Sequence, residues 1–439
     1  MISQSVWIVL GAIIVAVAAP VHGADGSRSY VGLCEINPPK GPAENTVKAI
    51  VGATLIDGRG GEPIANSVVV VWGNRIVAAG PRESVKVPDN AEVFNATGLT
   101  LLPGLIDAHF HMAANPAMFQ IPKLSIAHGV TTLRDPGRHM EAYVPIRELD
   151  SPVPRCFLTG PHFDEEPPAW PENAIVVKSP ADARAAVKRF VDRGASAIKI
   201  YFRLPIDSVR ATCETAHELN VPVTAHLELL DADQAIEAGL DGIEHITSFG
   251  TCLAEPEAAE RFRNAVRGDN AAREDGRYQL WAALKLDDSP RVKPLLDLLV
   301  RRGVFVSPTL TTFEQRSGDS KTELFHVRGF LNMMKFTGLC HASGATVVVG
   351  SHTWGRHTEV GWAFQREMEL LVESGLSPAA TIQAATWNNA RFLGCADRLG
   401  SIETGKLADL LLIAGDPIAD IRAMYKVKRV MLNGLWTTE

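Results

Sequence analysis

Two patterns of hydrophobic and polar positions divide the chain. Between residues 46 and 103, short apolar runs rich in β-branched residues are separated by turn pairs such as Asp57-Gly58 and Gly73-Asn74. Such runs are typical of a small all-β unit. From residue 104 onward, apolar runs alternate with helical stretches, which indicates βα units around a parallel sheet. The closing segment, 403–439, returns to β-type runs, and we expect it to join the N-terminal β unit.

The alternating region predicts eight strands, which are Gly104–His109, Gly129–Asp135, Pro154–Gly160, Ala197–Phe202, Val221–Leu227, Gly242–Ile246, Gly303–Leu310 and Ala345–His352. Helical stretches lie between most of them, and one begins with Ser179 as N-cap and Pro180 at the first helical position. The predicted fold class is α/β, a TIM-type (β/α)8 barrel with a small β-sandwich formed from the N- and C-terminal segments. In such a barrel the active site lies at the C-terminal ends of the strands.

The predicted domain order is a signal peptide at 1–23, a first sandwich part at 46–103, the barrel at 104–402 and a second sandwich part at 403–439. The segment from Thr247 to Arg302 is longer than a βα loop requires, so it is either a lid or a solvated helical excursion.

The N-terminal segment resembles a secretory signal. Its apolar run from Val6 to Ala19 is too short to span a bilayer comfortably, and small residues around Gly23 follow it. We therefore expect a periplasmic or secreted protein with no stable membrane anchor. An uncleaved anchor is the alternative, because no Lys or Arg precedes the apolar run.

Composition narrows the class of partner. The chain has 439 residues, a formal net charge of −7 and a pI near 6.0, with no basic patch, which argues against a nucleic-acid partner. We expect a small-molecule substrate, and the sequence leaves the oligomeric state, including a homo-oligomer, open. The six cysteines form neither a CxxC motif nor a disulfide framework, so their pairing cannot be deduced.

The clearest chemical signal lies at the first predicted strand, where Asp107, His109 and His111 follow an apolar run. Alternation places residues i and i+2 on one face of a strand, so both imidazoles point the same way. Neutral histidine is the commonest nitrogen ligand, and two imidazoles side by side can hold one metal ion. A surface strand that carries two histidines would show the same pattern. The metal hypothesis therefore depends on further ligands downstream.

Those further candidates lie in other predicted strands. His226 lies near the end of the fifth strand and His245 near the end of the sixth, so both face the same barrel mouth. Lys199 lies in the fourth strand between two isoleucines, where an unpaired ammonium would be very costly to bury. Either its amine reaches solvent or it is chemically changed.

These motifs resemble the amidohydrolase superfamily, specifically its imidazolonepropionase and prolidase-like branch. The resemblance covers residues 47–439. It rests on PGLIDAHFH, GVTTLRDPG, GASAIKIY, TAHLE, GIEHITS and SPTL at strands 1, 2, 4, 5, 6 and 7, and on the closing GSIETGKLADLLLIAGDP.

The resemblance implies two divalent metal ions, usually zinc. His109 and His111 would hold one ion, and His226 and His245 the other. Lys199 would carry a CO2-derived carbamate that bridges the ions, which would also remove the cost of its buried charge. A metal-bridging hydroxide would attack a substrate carbonyl. The implied activity is hydrolysis of a C–N amide bond in a dipeptide or an N-acyl amino acid.

One position departs from the family pattern. The family places an aspartate at the end of strand 8, commonly in Gly-Thr-Asp, whereas the corresponding segment here ends in Ser351-His352. Imidazole can ligate a metal or act as a base, so His352 is the candidate for both roles. The alternatives are a weakened or inactive metal-binding homologue, and a hydrolase of another bond such as a lactone or an ester. His357 and Glu359 on the next loop are candidates to compensate.

Three further residues are assigned from their positions. Tyr201 and Arg203 follow Lys199 and are predicted to bind a substrate carboxylate through a hydroxyl and a guanidinium group. Alternation puts Tyr201 on the Lys199 side, and Arg203 as well if the strand continues. Asp107 is predicted to orient a metal ligand rather than to bind the metal.

Overall fold

The strands of the computed structural model follow the apolar runs of the sequence. The structure describes residues 39–112, 120–143 and 152–437, and the predicted signal peptide lies outside them. The strands are β1 (Val47–Val51), β2 (Thr54–Leu55), β3 (Ser67–Trp72), β4 (Arg75–Pro81), β5 (Glu92–Asn95), β6 (Leu99–Pro103), β7 (Leu105–Asp107), β8 (Val130–Asp135), β9 (Arg155–Leu158), β10 (His162–Asp164), β11 (Ala174–Val176), β12 (Ile198–Ile200), β13 (Val223–His226), β14 (Gly242–Glu244), β15 (Phe305–Ser307), β16 (Thr346–Val347), β17 (Leu410–Ala414), β18 (Val427–Leu432) and β19 (Leu435–Trp436).

Helices occupy the segments between strands. The α-helices are α1 (Gln120–Ala127), α2 (Pro180–Asp192), α3 (Ile206–Glu218), α4 (Ala232–Glu237), α5 (Gly250–Leu253), α6 (Pro256–Gly268), α7 (Arg273–Ala282), α8 (Val292–Arg302), α9 (Leu310–Phe313), α10 (Leu324–Ala342), α11 (Ala363–Glu373), α12 (Pro378–Gln383) and α13 (Asn389–Phe392). Turns of 3-10 helix lie at Met140–Tyr143, Pro171–Asn173, Ile246–Phe249, Asn270–Ala272 and Ile421–Tyr425, and a π-helical turn lies at Ala384–Asn388. Among the described helices, none has the length and apolar character needed to cross a membrane.

The start of α2 follows the sequence prediction. The Ser179 hydroxyl accepts a hydrogen bond from the Asp182 amide, and Pro180 occupies the first helical position. The serine satisfies an amide that has no partner inside the helix, and proline has no amide hydrogen to satisfy there. This local chemistry is sufficient to start the helix where the sequence indicates.

Eight parallel strands close into a barrel. One sheet contains β7, β8 and β9, and another contains β12 to β16 with β10 and β11 at its edge. The Ser196 amide donates to the Leu158 carbonyl (2.7 Å), which links β9 to the entry of β12. The Ala108 amide donates to the Val349 carbonyl (3.0 Å), which links β7 to the end of β16. These bonds complete the ring, and the predicted TIM-type barrel is confirmed.

Each barrel strand is shorter than the apolar run that predicted it. For example, β16 covers Thr346–Val347, whereas the predicted strand continued to His352. The chain leaves the strand conformation early in several runs, so that His245 and His352, for example, lie on turns at the barrel mouth, whereas His226 is the last residue of β13. The short strands β10 and β11 were not predicted.

The N- and C-terminal segments share a sheet beside the barrel. β17 pairs antiparallel with β6, with Leu410 opposite Pro103, and the sheet order is β19-β18-β17-β6-β2. A second sheet contains β4, β3, β1 and β5. Apolar residues from both sheets, such as Ile50, Val69 and Leu412, pack in one buried cluster. The predicted joining of the terminal β segments is confirmed, and the residue boundaries of the domains stay predictions.

The segment 247–302 is helical, as one of the two alternatives for it predicts. It contains α5 to α8. Four residues of α7 line the barrel mouth, namely Arg273, Glu274, Arg277 and Tyr278. The excursion therefore builds one wall of the cavity that lies there.

Candidate metal centre

A cavity of about 660 Å3 opens at the C-terminal ends of the barrel strands. The predicted site residues that line it are His111, Lys199, Tyr201, His226, His245 and His352. His109 lies beneath them, with its side chain fully buried. The barrel therefore brings together residues that are spread over about 240 positions of the sequence, as the common mouth of parallel strands requires.

His109, His111 and His352 form a compact group. The Nε2 atoms of His109 and His111 lie 3.0 Å apart, so both imidazoles point the same way as predicted, although β7 ends at Asp107 and both residues lie on the turn that follows it. The ligand atoms of all three histidines lie within 4.8 Å of one another. Three imidazoles this close can converge on one divalent ion.

His226 and His245 lie beside this group. Their ring centroids are 4.4 Å apart, and the ring of His245 lies 4.6 Å from that of His109. The two pairs of histidines are thus neighbours in one cavity. This arrangement is compatible with two adjacent ions.

Carboxylates hold the Nδ1 atoms of the first pair. The Glu244 carboxylate lies 2.6 Å from Nδ1 of His109, and the Asp135 carboxylate lies 3.2 Å from Nδ1 of His111. Glu244 also accepts a hydrogen bond from Arg134. Although burial acts to raise the pKa of Glu244, the Arg134 guanidinium and the Lys199 amine hold that pKa below its usual value. The carboxylate is therefore ionised, and it orients the ring of His109.

Hydroxyl groups hold the Nδ1 atoms of two other histidines. Thr309 Oγ1 lies 2.6 Å from Nδ1 of His245, and Thr312 Oγ1 lies 3.2 Å from Nδ1 of His352. In all four cases Nδ1 is engaged, so the network assigns Nε2 as the nitrogen available to a metal. Burial lowers the pKa of His109 and His245 well below 6.5, so these imidazoles are neutral, as ligation requires.

Lys199 is 2% exposed, and its Nζ has no hydrogen-bond partner within the described part of the chain. Neither ring nitrogen of His226 makes a hydrogen bond among the described residues, and the Glu228 carboxylate lies 3.4 Å from its Nε2. Buried polar atoms rarely lack a hydrogen bond, so these atoms fit a site that binds further ligands. Burial lowers the pKa of Lys199 to about 7, against an opposing effect of the Glu244 carboxylate. A substantial fraction of the amine is therefore neutral at pH 7, which is the form that adds to CO2. The residues present thus fit a carbamate and divalent ions.

The turn that carries His352 is strained and is held by Asp107. His352 and Thr353 have φ angles of 54° and 77°, a region that such residues rarely adopt. Asp107 accepts hydrogen bonds from the Ser351 amide (3.0 Å), the Ser351 hydroxyl (2.5 Å) and the His109 amide (3.1 Å). The His352 amide donates to the His109 carbonyl (2.7 Å). Asp107 therefore acts indirectly, by orienting the His352 turn against His109.

The position of Arg203 requires a correction. Tyr201 lines the cavity, but Arg203 does not. Because β12 ends at Ile200, the alternation that would have turned Arg203 inward does not continue. Its guanidinium instead donates to the Val266 carbonyl and the Asn270 side chain, both at 3.4 Å. The prediction that Arg203 binds a substrate carboxylate is therefore not supported by the geometry.

The guanidinium beside Tyr201 comes from Arg273 of α7. It donates to the Tyr201 hydroxyl at 3.4 Å, and the indole N–H of Trp170 donates to the same oxygen at 2.8 Å. The ring of His162 stacks on Tyr201 with centroids 4.4 Å apart, and its buried Nε2 lacks a hydrogen-bond partner among the described residues. This wall therefore offers a hydroxyl, a guanidinium and an imidazole to a bound molecule.

His357 and Glu359 lie away from the cavity. His357 Nε2 is 3.0 Å from an Asp319 carboxylate oxygen, and neither His357 nor Glu359 is among the lining residues. Their predicted compensating role is therefore not supported by their positions.

Several functional neighbours were missed by reasoning from the sequence. Asp135 ends the second predicted strand, so its strand-end position was an available signal. Glu244 was missed because alternation from His245 would turn it outward. His245 has left the strand, with a φ of 64°, so Glu244 faces inward instead. Arg273 comes from a segment without any strand signal, and only the folded chain brings it to Tyr201.

The chain matches the sequence model of the amidohydrolase family over residues 100–437. It belongs to the amidohydrolase family. Among curated relatives, this amidohydrolase is 44% identical to an N-acyl-D-aspartate deacylase of Alcaligenes xylosoxydans xylosoxydans over 118 residues, which are 26% of this chain and 22% of the deacylase. It is 23% identical to adenine deaminase 3 of Rhizobium meliloti over 369 residues, 80% of this chain and 52% of the deaminase. It thus spans about half the length of that deaminase and a smaller share of the deacylase.

Solved structures share the architecture. A Xaa-Pro dipeptidase with bound methionine in the active site has a TM-score of 0.68 at 23% identity, over 89% of this chain and 99% of that chain. Phenylurea hydrolase B has a TM-score of 0.70 at 21% identity, over 89% of this chain and 96% of that chain. These likenesses support the barrel fold of this amidohydrolase, whereas the match to the sequence model confirms the family expected from the motifs.

Proposed function

We propose that this amidohydrolase is a metal-dependent hydrolase of a C–N amide bond in a small substrate, either a dipeptide or an N-acyl amino acid. The observation that carries the proposal is the convergence of five histidines and the buried Lys199 at one barrel mouth. The names of the curated relatives, a deacylase and a deaminase, both describe cleavage of a C–N bond.

The proposed cofactors are two zinc ions and a carbamate on Lys199. His109 and His111 would hold one ion together with His352, and His226 and His245 would hold the other. Nitrogen ligands and anionic oxygen suit zinc. When bound, the ions would supply Lewis-acid activation of water and of the substrate carbonyl.

His352 is the proposed acid–base residue in place of the family aspartate. Because Thr312 lies against its Nδ1, the free nitrogen of this ring is Nε2, which faces the cavity. At any one moment this atom either ligates a metal or holds a proton. We propose that Nε2, while it is free of the metal, takes up the proton released by the attacking water and passes it to the leaving amine.

The wall formed by Tyr201, Arg273 and His162 is the proposed carboxylate subsite. The Tyr201 hydroxyl and the Arg273 guanidinium are hydrogen-bond donors, and an ionised carboxylate is an acceptor with two oxygens. Binding the carboxylate at this wall would orient the neighbouring amide carbonyl toward the histidines.

Metal content and a substrate panel test the proposal. We expect about two divalent ions per chain by elemental analysis, by analogy with two-metal hydrolases, and turnover of dipeptides or N-acyl amino acids. Both should fall in His109→Ala and His245→Ala. A folded preparation grown with zinc that contains no stoichiometric metal would overturn the proposal. A protein that binds metal but turns over no substrate would favour the alternative of an inactive metal-binding homologue. Turnover of lactones or esters alone would favour the alternative of a hydrolase that cleaves another bond.

Two finer parts of the proposal have their own tests. If Lys199 is carbamylated, a short-chain carboxylic acid should restore activity to Lys199→Ala, because it supplies the missing oxygen ligands. We also propose that the chain is exported, on the basis of the N-terminal apolar run. A periplasmic or secreted product that begins near residue 24 would support export with cleavage, an exported product with an intact N-terminus would favour the uncleaved anchor, and a product found only in the cytoplasm would contradict export.

A further inference from the structure

Glu367 is a buried carboxylate that lies on α11, outside the barrel. Its relative exposure is 0%. It accepts hydrogen bonds from the Leu310 amide (2.8 Å), the Thr311 amide (2.7 Å) and the Thr311 hydroxyl (2.7 Å). Glutamate is rarely buried completely unless its oxygens are satisfied. Here all three donors come from a single short segment, the start of α9.

The same segment supplies the hydroxyls that contact two candidate metal ligands. Thr309 and Thr312 flank the residues held by Glu367, and they lie against Nδ1 of His245 and of His352. Thr309 has a φ of 50°, which a β-branched residue rarely adopts. Such a conformation persists only when its surroundings hold it. The hydrogen bonds of Glu367 to the two following residues provide that restraint.

We infer that Glu367 is a positioning residue for the metal site. By fixing residues 309–312, it keeps Thr309 and Thr312 within reach of the two Nδ1 atoms. The Nε2 atoms of His245 and His352 then stay directed at the cavity. Glu367 does not line the cavity, so it acts through the threonines. The inference rests on the proposed metal centre and adds a residue to it from an outer helix.

A purely structural role for Glu367 predicts a different outcome. As a simple cap of α9, it would contribute to the stability of the fold without affecting the metal site. The two roles separate in metal affinity, because partners of histidine ligands typically contribute about 10- to 100-fold to that affinity.

The test compares zinc dissociation constants of the purified full chain by competition with a chromophoric chelator. Glu367→Gln keeps the shape of the side chain but replaces one acceptor oxygen with a donor. The matched control is Ser179→Ala, which removes the N-cap of α2 from a helix outside the cavity. We expect weaker zinc binding by about 10- to 100-fold in Glu367→Gln and no change in Ser179→Ala. The visible spectrum of the cobalt-loaded variant should change as well, because it reports ligand geometry.

Two results would be decisive against the inference. Wild-type zinc affinity in Glu367→Gln would overturn it and leave the proposed function intact. A wild type that binds no zinc would overturn the proposed function and this inference together.

Substitutions at Thr309 provide a second test if Glu367→Gln does not fold. Thr309→Ala should weaken zinc binding, and Thr309→Ser, which keeps the hydroxyl, should restore most of it. Where Glu367→Gln folds, combining it with Thr309→Ala should cost less zinc affinity than the sum of the two single losses, because Glu367 acts in part through Thr309. Unchanged zinc affinity in Thr309→Ala would overturn the proposal that Glu367 acts on His245 through Thr309.

Discussion

At the scale of single residues, the histidines of the metal centre differ in the chemical group that contacts their Nδ1 atom. Carboxylates hold Nδ1 of His109 and His111, whereas hydroxyls hold Nδ1 of His245 and His352. A carboxylate partner makes an imidazole a more basic ligand than a neutral partner does. We therefore expect the two halves of the metal centre to differ in affinity, with the tighter ion beside His109 and His111.

The role of His352 is the first testable point at this scale. His352→Ala should lower kcat on the best amide substrate by about 10²–10⁴-fold, the usual contribution of one acid–base group. His352→Asp should preserve or raise kcat, because a carboxylate can bind metal and accept a proton through separate oxygens. The comparison requires equal metal content in both variants. Parental turnover in His352→Ala would exclude His352 from proton transfer.

The two arginines near Tyr201 provide a matched pair for substrate recognition. Arg273→Ala should raise KM for substrates with a free carboxylate by about 10- to 100-fold, since a hydrogen bond to a charged group contributes about 1.5–3 kcal/mol. Arg203→Ala should leave KM unchanged, because its guanidinium lies outside the cavity. Substrates with an amidated carboxyl group serve as the control, and they should be insensitive to Arg273→Ala. A larger rise in KM in Arg203→Ala than in Arg273→Ala would restore the assignment of Arg203 as the carboxylate-binding residue.

At the scale of elements, the closing motif is held by its own side chains. Lys406 Nζ lies 3.0 Å from a Glu403 carboxylate oxygen and 4.4 Å from the centre of the Trp387 ring. The Ser401 hydroxyl donates to Glu403 at 2.5 Å. These contacts hold the loop before β17 against Trp387 of the π-helical turn.

This loop predicts a pH dependence of stability. Burial acts to raise the pKa of Glu403, but hydrogen bonds from Ser401 and Lys406 outweigh it and lower the pKa to about 2. A lowered folded-state pKa stabilises the protein above the unfolded value near 4.5, and the effect is lost as the pH falls toward 2. Glu403→Gln should therefore lower Tm more at pH 7 than at pH 3. An equal Tm difference at both pH values would contradict this.

At the scale of the whole molecule, a buried ion pair joins the barrel to the terminal sheet. Arg155 of β9 contacts the Asp409 carboxylate at 2.8 Å and 3.2 Å, and both side chains are 3% exposed. Asp409 also accepts a hydrogen bond from the Asn433 amide (2.7 Å). The pair therefore connects three parts of the chain that are distant in sequence.

Breaking this pair should be strongly destabilising. Asp409→Ala should lower the free energy of unfolding by about 3–5 kcal/mol, because the buried charge of Arg155 loses the carboxylate that compensates it. Glu214→Ala serves as the control, since it breaks the exposed pair with Arg184 and should cost about 0–1 kcal/mol. Urea denaturation of both variants measures the difference. Equal costs would show that solvent reaches the buried pair.

Local pattern was sufficient for the barrel strands, the joining of the terminal β segments, the α2 cap and the inward face of His109 and His111. These features depend on the period of the strand, on burial of apolar residues and on capping chemistry, which are all written in short windows of sequence. The resemblance of the motifs added the family. Contacts between distant segments were decided by the tertiary structure alone. Arg203 lies outside the cavity because β12 ends at Ile200, three residues before it, and Arg273 reaches the cavity from a helical excursion. Glu244 contacts His109 across 135 positions of the chain, and Glu367 contacts Leu310 across 57 positions. No local sequence period predicts which distant segments come into contact.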